Sequence, residues 1–280
     1  QYFKIGRSAY LEDSFYYGFA GIGSTVSLTY FLLVVPFLTK AIDSLRGKWL
    51  LRVTVFLSLL FTIIALKRIA IIALITGYFI YLFKTRYFVK VSRAFISVAF
   101  FLILFSPIYL DLFLERLSVR PTEMSDLKYE QRYNDVIVAI NDFRTKGIKH
   151  ALVGTEPFNT PGYFGKKRQV HVDYANLLIG TGIIGLFIYL FIYFTIGRKF
   201  HLIYKQTLKR NIHYRLFPGS LLKDLSGIFW AILMSSLVIS FSGGLHVVGT
   251  RVLLFTLLGG LTGVLNSMNN TFKSYDSIGN

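Results

Sequence analysis

"HVDYANLLIGTGIIGLFIYL", residues 171–190, decides how this chain is read. From Tyr174 the side chains turn apolar and stay so to residue 197. At 1.5 Å per helical residue, such a run crosses the ~30 Å hydrocarbon core of a bilayer. Just outside it stand His171 and Asp173, and Gly180-Thr181-Gly182 lies near its start. A strongly titratable side chain at the mouth of a membrane helix needs a reason.

Six further apolar runs occupy residues 24–42, 49–66, 69–83, 91–110, 224–242 and 249–266. The 280 residues are 54% hydrophobic and only 16% charged, and mean hydropathy is +0.54. Those values exclude an ordinary soluble domain. They predict an all-α polytopic membrane protein with about seven transmembrane helices and one large extracytoplasmic loop. As a single helix the stretch 49–83 would measure about 50 Å, too long for one crossing, so it is read as two helices meeting near Lys67-Arg68. Residues 1–110 then hold about four crossings, 111–172 form the loop, and 173–280 hold about three more. Gln1 is not a start residue, and no signal peptide follows it, so the chain is expected to be the C-terminal part of a longer helical bundle. Without cysteine there is no disulfide framework and no thiolate zinc site.

The net charge of +17 does not point to nucleic acid. Lysine and arginine gather at the ends of apolar runs, where the positive-inside rule and anionic headgroups account for them. Lys40, Arg46, Lys48 and Arg52 flank one connection, and Lys84, Arg86, Lys90 and Arg93 the next. Residues 198–223 add seven more, from Arg198 to Lys223. In a seven-crossing chain all three groups fall on one side, the cytoplasmic one, so the loop 111–172 faces the periplasm or cell exterior. Within it, residues 129–147 place Val136, Ile137, Ile140 and Phe143 near a 3.6 period, with Gly147 at the end, which predicts an amphipathic helix. The Gly- and Pro-rich stretch after it predicts an irregular loop.

His171 is either a solvated loop histidine or a general base, since imidazole exchanges a proton near neutral pH. Asp173 is either the N-cap of the following helix or the group that orients that imidazole. Cooperation of the pair requires a non-helical backbone through residues 171–173. Arg68 is either an interfacial anchor or a bidentate clamp for a diphosphate, which a guanidinium fork suits. Arg116, Arg120, Arg132 and Lys166-Lys167-Arg168 place positive charge on the outer loop, and His246 and Arg251 flank the short turn between the last two runs. There is no Walker loop, GxSxG, HExxH or DxD, and the other histidines lack metal-ligand spacing, so no metal and no cofactor are expected.

Together these features resemble the O-antigen polymerase and O-antigen ligase superfamily. The resemblance covers residues 24–266 and rests on Arg132 in "EQRYNDVIVAI", Gly154 in "ALVGTEPF", the His171, Asp173 and Tyr174 of "HVDYANLLIGTGIIGLFIYL", and Arg68 in "LKRIAIIALITGYFIYLF". Val172 stands where the family usually has Asn, and Lys67 where it has Ser. The resemblance implies metal-independent, inverting glycosyl transfer at the outer face of the bacterial inner membrane. The donor would be an undecaprenyl-diphosphate-linked oligosaccharide. Arg68 and Arg132 would hold its pyrophosphate, Arg116, Arg120, Tyr174 and Arg251 would line the site, and His171 would deprotonate the acceptor hydroxyl. The His-x-Asp-Tyr form is nearer the polymerases, with a chain-length regulator and a flippase as further partners. The ligases share the architecture and use lipid A–core as acceptor. A lipid-linked glycan flippase would instead carry charge within its crossings and an internal repeat. A scaffold would leave the histidine and the arginines replaceable.

Overall fold

The computed structural model describes residues 22–64, 68–86, 144–154, 172–242 and 248–278, with isolated helical positions at 137, 140 and 141. The described residues are helical throughout, with no strand among them. In chain order they form α1 (Ile22–Ala41), α2 (Leu45–Ile64), α3 (Arg68–Thr85), α4 (Ile148–Val153), α5 (Asp173–Tyr214), α6 (Gly219–Ile239) and α7 (Val248–Ile278), and a 3₁₀ turn, Ser240–Ser242, follows α6. Three of them, α5, α6 and α7, are long and apolar enough to cross a membrane, and α1 and α3 are shorter apolar helices. A helical membrane protein is the class these elements define. The expected crossing 91–110 lies outside the described residues. Helix α2 ends at Ile64 and α3 opens at Arg68, and the predicted meeting point at Lys67 lies outside the described residues.

Two compact units emerge. Unit 1 draws on Gln1–Lys84, Ile203–Ile239 and Gly244–Asn280, and unit 2 on Thr85–Leu202 and Ser240–Gly243.

In unit 1, α6 is the central helix: Leu222, Leu225, Ile228, Phe229 and Ile232 are all fully buried. It packs against α1 and α7, and α1 in turn packs against α2. Hydroxyls in these apolar helices bond backbone carbonyls of the preceding turn, as Thr29 does to Thr25 at 2.9 Å and Thr62 to Ser58 at 2.7 Å. Between helices the polar ties are few and buried. Tyr78 of α3 donates to the Leu32 carbonyl of α1 at 2.9 Å, and Ser235 of α6 to the Ala73 carbonyl of α3 at 2.7 Å. Asp224 of α6, wholly buried, takes an ion pair from Lys40 at the end of α1 and a 2.8 Å hydrogen bond from the Tyr81 hydroxyl of α3. One turn on, Lys84 lies over the Trp230 ring, 5.2 Å from its centroid. The C-terminal ends of α1 and α3 and the N-terminal end of α6 therefore share one end of the bundle.

Helix α7 runs a dozen residues beyond the apolar run that predicted it, to Ile278. Its polar end is held laterally. Arg210 donates to the Asn269 side chain at 2.9 Å, and Phe272 packs on Tyr214 and Phe217 with centroids 5.9 and 5.5 Å away. Asn211 closes the turn after α5 with two hydrogen bonds to the backbone of Phe217, at 2.9 and 3.0 Å.

Candidate functional site

Helix α5 is not one rod. Gly182 has φ 65° and ψ −166°, a conformation open to glycine alone, and it divides α5 into a short limb, 173–181, and a long limb, 183–214. A straight helix would hold Tyr174 and Tyr189 about 22 Å apart along its axis. Their ring centroids are 6.1 Å apart, edge to face, so the short limb is folded back on the long one. The apolar run 174–197, expected as a single crossing, thus begins with a limb that turns around before the crossing starts.

The bend is braced from upstream. Helix α4 closes with the Gly154 amide on the His150 carbonyl at 2.8 Å, and its end lies directly on the bend. A Cβ on Gly154, whose φ is +81°, would come within 2.5 Å of the Gly180 carbonyl and the Thr181 amide. A Cβ on Gly182 would strike the Leu152 carbonyl. Backbone meets backbone on both sides, and no side chain fits between. The Thr181 side chain occupies the space a Cβ on Gly185 would need.

The short limb buries Val172, Ala175 and Ile179, one helical face at i, i+3 and i+7. Val172 takes the capping position, and its carbonyl accepts the Asn176 amide at 2.9 Å. Asp173, anticipated as an N-cap, is instead the first helical residue; it is 8% exposed, at the positive end of the limb's dipole. Val172 is non-helical and Asp173 is helical, so the non-helical backbone that cooperation with His171 requires does not extend to Asp173. Beside Asp173, Tyr174 packs edge-on against Phe241, 4.8 Å away. The Ser240 hydroxyl, wholly buried, meets the Tyr189 hydroxyl at 2.8 Å. Tyr189 reaches on to Tyr193 at 3.2 Å.

An apolar cleft of about 690 Å³ lies between the limbs and the end of α4. Leu177, Gly180 and Thr181 line it from the short limb, Ile184, Gly185, Ile188, Tyr189 and Ile192 from the long limb, and Val153 and Gly154 from α4. The Thr181 hydroxyl is spent on the Leu177 carbonyl at 2.8 Å, so the walls present hydrocarbon. Tyr189 belongs both to the cleft and to the hydroxyl cluster beside Tyr174.

Of the residues anticipated from sequence, the structure brings Asp173 and Tyr174 together at the head of the short limb, with Gly154 at its bend. Arg251 is exposed on the first turn of α7, in unit 1. Arg68 opens α3, and its side chain lies outside the described set. His171, Arg116, Arg120, Arg132, Lys166-Lys167-Arg168 and His246 lie outside the described residues. So does most of the predicted helix 129–147; its far end is present, helical at Arg144 and Thr145 and broken at Gly147, φ 84°. Among the described residues no three His, Cys, Asp or Glu side chains are grouped to hold a metal. Sequence reasoning did not anticipate Tyr189, Ser240 or Phe241, nor the buried Asp224. A lone acid in the apolar run 224–242 was a readable signal for the last. The others had none, since a tyrosine or serine near a helix end is commonplace.

No family model, curated protein or solved structure matches this chain.

Proposed function

We propose that the chain is a membrane glycosyltransferase that polymerises oligosaccharide repeat units carried on undecaprenyl diphosphate, at the outer face of a bacterial inner membrane. The observation that carries the reading is the hydrocarbon-walled cleft beside the limb bearing Asp173 and Tyr174. A substrate with a long apolar tail and a polar head needs both features within a few ångströms of each other. In this reaction the acceptor sugar hydroxyl attacks the anomeric carbon of the donor. The carbon–oxygen bond to the diphosphate breaks, with inversion. His171 takes the hydroxyl proton. Polyprenyl diphosphate leaves, its charge held by Arg68 and Arg132 with help from Arg116, Arg120 and Arg251, so the mechanism has no metal-dependent step.

Charge inside the crossings was the feature expected of a flippase, and Asp224 is such a charge. Its two oxygens are nevertheless engaged by Lys40 and Tyr81, a closed arrangement that favours bracing over transport.

A strain lacking this gene tests the reading. Loss of the glycan ladder, with single repeat units still reaching lipid A, supports a polymerase. Long chains accumulating on the lipid carrier indicate a ligase, and an unchanged ladder refutes both. His171→Ala should behave as the deletion while the protein remains inserted and abundant.

A further inference from the structure

We infer that one exposed face of the long limb of α5, carrying Arg198, Lys205 and Lys209 with Lys199 at its edge, is a binding surface for the headgroups of anionic phospholipids. All four residues lie on one unbroken helix, so their relative placement follows from that helix alone. The inference does not depend on the glycosyltransferase reading.

Its origin is the bend. At Gly182 the chain folds back, so residues 174–181 of the apolar run are withdrawn from the crossing. The long limb keeps the apolar residues 183–197, about 22 Å of helix. A bilayer core is ~30 Å thick, so with the hinge at one surface this stretch ends about 8 Å short of the other. Residues 198–202 supply the remainder, since α5 continues as helix to Tyr214. That draws Arg198 and Lys199 just inside the hydrocarbon edge and sets Lys205 and Lys209 at headgroup level. Long basic side chains at this depth extend their charge to the phosphates. The Cα–Cβ bonds of Lys205 and Lys209 tilt toward the helix N-terminus, back toward the same level.

The face suits that place. Arg198, Leu202, Lys205, Lys209 and Ile212 follow one another at spacings of four, three, four and three, which aligns them on one stripe, and all five are exposed. Phe200, Thr207 and Asn211 take the opposite face and are buried. Leu202 is 49% exposed and Ile212 70%, set among the charges. Such an alternation fits the boundary between acyl chains and headgroups, where apolar and basic side chains both find partners. The charge is also uncompensated along the chain, because residues 174–223 contain no Asp or Glu. Among the described residues, none of the four basic groups enters an ion pair. An acidic protein would answer the charge as well, but a helix leaving the membrane already meets the phosphates.

The test places a fluorophore on Gln206→Cys, beside the stripe, in the full chain reconstituted in phosphatidylcholine bilayers. Phosphatidylglycerol or phosphatidylcholine, each spin-labelled on its headgroup, is then titrated in as quencher. Phosphatidylglycerol should quench at a mole fraction about tenfold lower, and most of this preference should disappear at an ionic strength of about 1 M, where the screening length is about 3 Å. Each neutralised charge should lower the preference by up to about fivefold, and the combination of Arg198→Gln, Lys199→Gln, Lys205→Gln and Lys209→Gln should abolish it. Exchanging the same positions as Arg198→Lys, Lys199→Arg, Lys205→Arg and Lys209→Arg should preserve it. So should Arg46→Gln with Arg52→Gln and Lys273→Gln, which removes charge from other helices. Equal quenching by the two lipids, or no quenching by either, would overturn the inference. A preference that survives the fourfold neutralisation, or one lost equally when the charges of the other helices are removed, would do the same. Soluble poly-glutamate that alters the fluorescence where phosphatidylglycerol does not would assign the face to an acidic protein and overturn the lipid assignment.

Discussion

Unit 1 and unit 2 both fasten helices together in an apolar setting, and they do it with different chemistry. In unit 1 the ties between α1, α3 and α6 include an ion pair beside two hydroxyl–carbonyl bonds: Asp224 is shielded from solvent, and Lys40 and Tyr81 take its two oxygens. In unit 2 the short limb of α5 meets its neighbours through edge-on rings at Tyr174 and through backbone fitted against glycine. Stranding one partner of a buried ion pair is costly, so that tie stays closed. The hairpin carries Asp173 and Tyr174 at the head of its short limb.

Four substitutions and one double variant sharpen this contrast. Gly182→Ala should have the largest effect, more than about 3 kcal/mol, because it combines a glycine-only backbone with a clash against the Leu152 carbonyl. The short limb should lose its protection from hydrogen exchange while α6 keeps its own. Next comes Lys40→Met, which leaves the Asp224 carboxylate buried with Tyr81 alone. Lys40 is 41% exposed, so the loss should fall below the fully buried range, at about 2 kcal/mol in a denaturation assay. Adding Asp224→Leu should recover most of it; a double variant no better than the single would mean that the pair is not the tie described. The smallest effects come from a pair of glycines. A Cβ on Gly77 would lie 2.5 Å from the Ser235 Oγ and 2.6 Å from Leu33 Cδ2, so Gly77→Ala should cost about 1–2 kcal/mol. A Cβ on Gly260 would meet nothing within 4 Å, so Gly260→Ala should shift stability by no more than about 1 kcal/mol, toward greater stability. Equal melting shifts for the two would contradict the packing described around α3.

Long apolar runs were enough to read the helical membrane class. Those signals are local, and each apolar run reports its own solvent. The break at Gly182 was not legible, because glycine inside an apolar run is ordinary in membrane helices. What decides it is Gly154, 28 residues upstream, whose bare backbone lets α4 rest on the bend. Asp224 was visible as a lone acid, but its partner lies 184 residues away in the chain and no periodicity links them. The hydroxyl cluster fails for the same reason, since Ser240 and Tyr189 are 51 residues apart. Asp173, read from sequence as either an N-cap or the group that orients His171, is the first residue of α5, one position past the cap.

The chain has no cysteine, so a pair introduced at Asn176 and Phe191 can be spin-labelled alone, in otherwise native sequence. A continuous α5 would hold these positions about 22 Å apart along its axis. The folded-back limb predicts a single, clearly shorter distance in nanodiscs, and a distribution centred on the straight-helix value would contradict the hairpin on which the candidate site is built.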